Sequence, residues 1–114
     1  ERFARLVGAH EQPLAAEELI LRARADLDAG RPREAALQAR VALECLIAEL
    51  ADEQGAETGR RREELAEARG GIGDAANAAL TADPADELQE QVAEVIGRME
   101  ALLRHRAHRA HRRS

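Results

Sequence analysis

From Leu14 to Leu103 apolar side chains recur every three or four positions, and no stretch shows the β-branched, period-two alternation of a half-buried strand. Ala, Leu, Glu, Gln and Arg dominate, and all are strong helix formers. The pattern predicts helices near 14–29, 33–53, 60–69, 74–81 and 84–106. The breaks fall where residues interrupt helices. Gly30 and Pro32 form a tight corner, Gly55 and Gly59 bracket one loop, and Gly70, Gly71 and Gly73 mark a second. Asp83–Pro84 reads as a helix start: Asp83 as N-cap, Pro84 at the first helical position, and the acids Asp86 and Glu87 in the first turn. Pro13 closes a short amphipathic segment carrying Phe3, Leu6 and Val7.

The faces of these helices suggest how they pack. Helix 33–53 places Ala35, Ala36, Ala39, Ala42, Leu43, Leu46, Ile47 and Leu50 on one broad face, while Leu37, Val41 and Cys45 form a second stripe at i, i+4, i+8. A helix apolar on two faces belongs at the centre of a fold. Helix 14–29 behaves similarly, with Ala16, Leu19, Ile20, Ala23 and Leu27 on one face and Leu14, Leu21 and Ala25 on another. The last helix has a single stripe, from Leu88 through Val92, Val95, Ile96, Met99 and Leu102 to Leu103. The corner "DAGRP" is too short for anything but an antiparallel hairpin. The fold class expected is therefore all-α: a small helical bundle built on an antiparallel hairpin, with a long C-terminal amphipathic helix covering one face. Residues 1–103 read as one domain and 104–114 as a basic, Arg/His-rich extension or tail. The stretch 55–82 offers only Leu65, Ile72 and Leu80 as large apolar residues, so it is expected to be the least stable part.

Composition sharpens one point. Apolar residues make up 45% of the chain, yet more than half of them are alanine, and Phe3 is the single aromatic. A buried Leu or Ile contributes roughly 1.5–3 kcal/mol, and a set this small must offset the ordering entropy of the whole chain. A second copy or another protein would supply the missing burial. The second stripes, Leu14, Leu21, Leu37, Val41 and Cys45, are the expected interface of a self-associating, non-catalytic module that needs no cofactor. Cys45 has no second cysteine to pair with, and Glu44 and Glu49 disfavour its thiolate, so it reads as a small core hydrophobe in a reducing cytoplasm. No apolar run approaches the ~20 residues of a membrane span. The chain begins at Glu1, not Met, which leaves a longer parent polypeptide open.

Net charge is −5 but uneven. Residues 1–100 carry 12 Arg against 22 acids, whereas 101–114 carry 5 Arg and no acid. The end "RHRAHRAHRRS" is open to three readings. Arg and His near a helix C-terminus interact favourably with its exposed carbonyls. Arg104, Arg106, Arg109, Arg112 and Arg113 offer planar donors to anions, and weak nonspecific binding of nucleic acid would follow, with no aromatic interleaved to stack on bases. His105, His108 and His111 step by three and cannot easily converge on one ion, so no structured metal site is expected. The glycines of "RGGIG" lack the strand and the Lys-Ser/Thr of a phosphate loop and read as a turn. The charges of "RRREE" nearly cancel, and His10 has no catalytic partner in sequence. No catalytic residues are assigned.

Two family resemblances bear on these residues. "DAGRPREAALQARVALE" resembles the inter-helix corner of a tetratricopeptide repeat, with Gly30, Glu34, Ala35, Ala42, Leu43 and Glu44 at the usual spacings. "AALTADP" at 78–84 echoes the end of such a repeat. A lone unit does not form the curved groove that these repeats use to bind peptides. "ILRARADLDAGRPREAALQARVALECLIAEL", residues 20–50, resembles the central hairpin of the HEPN (higher eukaryotes and prokaryotes nucleotide-binding) superfamily. That resemblance implies a small, often dimeric helical bundle. It also implies an RNA-directed alternative, in which Arg stabilises phosphate charge and a His beyond four to six intervening residues transfers a proton. Arg104 and His111 match that spacing, with polar His105 after the Arg as in the family. Arg106 with His111 and Arg98 with His105 match the spacing but are followed by Ala107 and Met99.

Overall fold

The computed structural model describes residues 14–113, with side chains through His108. Phe3, Leu6, Val7 and His10 lie outside the described residues. The described residues form five helices and no strand: α1 (Ala15–Asp28), α2 (Pro32–Leu50), α3 (Ala56–Glu67), α4 (Arg69–Ala79) and α5 (Asp86–Arg113). The fold is all-α, and its long C-terminal helix is the one expected. No described helix is long and apolar enough to cross a membrane.

The α1–α2 hairpin turns where the sequence breaks it. Gly30 takes φ +72°, a left-handed conformation open to glycine at no steric cost, and Pro32 opens α2. Arg31 closes the corner by pairing with Asp26 at 2.8 Å. α2 is central: its face from Ala35 through Ala39, Leu43 and Leu46 to Leu50 is fully buried, and it packs against α1, α3, α4 and α5. Alanines at Ala16, Ala23, Ala35, Ala39 and Ala42 let the hairpin backbones approach closely, so the core is built from small residues filled in by Ile20, Leu43 and Leu46. α5 closes the other side through Val92, Val95, Ile96, Met99 and Leu102.

Three boundaries differ from the sequence pattern. Gly70, Gly71 and Gly73 sit inside α4, not in a loop, and Gly59 sits inside α3. The apolar register Leu65, Ala68, Ile72, Ala75, Ala76, Ala79 runs on through these glycines, and burying it outweighs their poor helix propensity. Only Ala68 separates the two helices. The last helix begins at Asp86, so Asp83 is not its N-cap and Pro84 is not its first residue. Pro84 is buried instead, and its carbonyl accepts from the Gln89 side-chain amide at 2.7 Å. Asp86 and Glu87 do occupy the first turn.

Hydrogen bonds from distant elements finish the helix ends. Leu14, at the start of α1, has no side-chain acceptor. Glu49 of α2 supplies one, accepting from Ala15 N at 2.8 Å and Ala16 N at 2.9 Å. Arg62 donates to the carbonyls of Leu50 and Ala51 at the end of α2, and Arg33 to those of Ala79 and Leu80 at the end of α4. Carbonyls at a helix end lack a partner within their own helix, so each arginine supplies donors there while joining two elements; the Leu50 carbonyl also accepts from Glu53 N.

Candidate functional site

The residues expected to form an interface divide. Leu21 is 64% exposed on α1, and Val41 is 54% and Leu37 36% exposed on α2. Leu37 and Val41 stand one turn apart, facing away from the buried side of α2. Leu14, by contrast, is buried and belongs to the core. Its side chain joins the core cluster, at the start of the helix whose first N–H groups Glu49 of α2 accepts. Cys45 is half-buried, and its Sγ donates to Glu49 Oε1 at 3.6 Å. Burial, then the charge of Glu49, pushes the Cys45 thiol above its ordinary range, so this sulfur is a poor nucleophile. The exposed apolar stripe of α2 therefore ends at Val41. Leu80, 63% exposed just past α4, is a further large apolar side chain in solvent, which the sequence reading placed in the weak middle segment.

The polar residues beside this stripe are unevenly committed. Glu44 receives both Arg69 Nε and Nη2 at 2.9 Å. Arg40, exposed between Leu37 and Val41, makes neither a hydrogen bond nor an ion pair within the described chain. Every other arginine from Arg22 to Arg98 makes at least one.

The basic end of the chain is also divided. The backbone of α5 continues past Leu103 without a break, to Arg113. Arg106 was expected to be an anion donor, but it is 7% exposed and grips Glu53, with Nη2 at 2.6 Å and Nε at 3.1 Å from Oε2. A phosphate reaching Arg106 would have to displace a half-buried carboxylate that already holds both the Nε and Nη2 donors. Arg104 is exposed and helps hold the Glu100 carboxyl below its usual range. The side chains of Arg109, Arg112, Arg113 and His111 lie outside the described residues. Of the other spacings noted for the RNA-directed alternative, Arg98 pairs with Glu94 at 2.7 Å, and His105 keeps Nε2 buried with no hydrogen-bond partner.

A shallow cleft that the sequence did not signal runs between α3, α4 and α5. It comprises adjoining hollows of about 360 Å³ and 300 Å³ that share Glu64, Glu67 and Arg98. Its floor is apolar, from Leu65, Ile72, Val95 and Leu102, and Arg61 on its rim is engaged by Glu57 at 2.7 Å. It contains no hydroxyl or thiol nucleophile beside a base. Among the described residues no three His, Cys, Asp or Glu side chains cluster as metal ligands do. Comparison with protein-family models, with curated proteins and with solved structures finds no match for this chain.

Proposed function

We propose that this chain is a non-catalytic helical interaction module that associates with copies of itself. The observation that supports the reading is the exposure of Leu21, Leu37 and Val41 on the two helices that otherwise build the core. A chain short of large apolar residues leaves three of them in water on its central hairpin, and a second copy would cover them. Burial returns about 25 cal/mol per Å², and only part of each side chain remains to be buried. Association itself costs at least about 4 kcal/mol, so the dimer is weak and reversible. A half-buried, unpaired Cys45 suits a reducing cytoplasm.

Sedimentation equilibrium on the full chain tests this reading. A concentration-dependent dimer is expected at high micromolar protein, and Val41→Asp is expected to return it to monomer with unchanged helical circular dichroism. A wild-type chain that stays monomeric at that concentration overturns the proposal.

A further inference from the structure

The partner's identity as a second copy, which rests on the reading above, also constrains how the two copies meet. We infer that α2 docks antiparallel against α2 of the second copy, about a twofold axis at the level of Ala42, so that Arg40 of each copy faces Glu44 of the other. Three observations carry this arrangement. The outward face of α2 is an apolar stripe with a small residue beyond it: Leu37 and Val41 exposed, then exposed Ala48. In the antiparallel register Leu37 of one copy lies within about one residue's rise of Ala48 of the other, and the two Val41 side chains meet near the axis.

The second observation is charge. Residues 1–100 carry 12 Arg against 22 acids, so two identical bodies repel over most of their surface. The outward side of α2 is an exception, because the exposed Arg33 and Arg40 balance the exposed Glu34 and Glu44. The acidic chain can approach a copy of itself there without a like-charge penalty.

The third is the uncommitted Arg40. It stands one turn before Glu44, and residues four apart share a side of the helix. A twofold perpendicular to the plane of two antiparallel helices keeps that side facing the same side of the copy, which sets Arg40 against Glu44 twice. Arg69 already fixes the Glu44 carboxylate through two hydrogen bonds, so the acceptor is held in place before the second copy arrives.

Charge reversal tests the register, with the dissociation constant of the full chain read by sedimentation. Arg40→Glu and Glu44→Arg should each weaken the dimer about tenfold or more, because each turns both symmetry-related pairs repulsive. Combining both with Arg69→Glu should recover the wild-type constant to within about threefold, since the triple variant exchanges the signs of both crossing pairs and of the Arg69–Glu44 pair together. A dimer that Val41→Asp dissolves but that ignores Arg40→Glu, or that the triple variant fails to restore, overturns this register and leaves self-association standing. A monomeric wild type overturns both.

Discussion

Arg24 meets Glu100 through Nε at 2.9 Å and Nη2 at 2.7 Å, across 76 residues of sequence. Arg69 meets Glu44 in the same two-pronged manner, Arg106 meets Glu53, and Arg33 and Arg62 each donate to two backbone carbonyls. A planar fork of fixed donors makes such paired contacts, where the point charge of lysine would not. All 17 cations of this chain are arginine. From sequence this reads as mere composition, because each partner is remote along the chain. The pair with the least solvent around it is Arg106–Glu53, whose side chains are 8% and 18% exposed. Removing one partner breaks this largely buried ion pair, at about 3 kcal/mol. Urea unfolding of Glu53→Gln should show a loss of that order, and joint replacement by Glu53→Leu and Arg106→Met should recover most of it. A loss below about 0.5 kcal/mol, typical of an ordinary surface site, would remove Arg106 from the fold's supports and return it to the set of candidate anion donors.

At the scale of elements, glycine shows where local preference governs and where it yields. Gly30 at φ +72° is a required left-handed corner, and the sequence pattern located it. Gly70 and Gly73 lie in α4, where an added Cβ meets nothing within 4 Å. Alanine there lowers the entropy of the unfolded chain and costs no space, worth about 0.5–1 kcal/mol per site. At Gly30 the same change strains the backbone. Thermal melts should therefore rise for Gly70→Ala and Gly73→Ala and fall for Gly30→Ala. A fall at Gly73 would mean that α4 is not helical there. Gly71 differs, since its added Cβ falls on the side-chain amide of Gln91 across the α4–α5 contact. Helix interiors carrying this much glycine hold together by what they bury, chiefly Ile72 and the alanines around it against α2. Propensity alone predicted a loop, because the benefit of that burial depends on a neighbour that no local window contains.

For the whole molecule, the Arg24–Glu100 pair ties the first described helix to the last. The hydrogen bonds from Arg24, aided by its charge, hold the Glu100 carboxyl below the ordinary glutamate range. A carboxyl lowered in the folded state stabilises the fold at all pH values above its unfolded value, and that contribution fades as acid protonates the folded form. Glu100→Gln should thus melt below wild type at neutral pH, and the gap should close as pH falls below the ordinary carboxylate range. A constant gap would assign the loss to packing. The all-α class, the α1–α2 hairpin, the buried face of α2 and the stripe of α5 were legible in the sequence, because period, glycine-proline corners and amphipathic faces are local properties of the chain. The fold alone decided which second stripes stay in water. Leu14 entered the core and Cys45 met Glu49, while Leu21, Leu37 and Val41 stayed out. It alone drew Arg106 onto Glu53 and opened the cleft beside Arg98. These outcomes depend on which distant segments arrive beside a residue, and the burial, pairing and solvent access that result are properties of the assembled bundle.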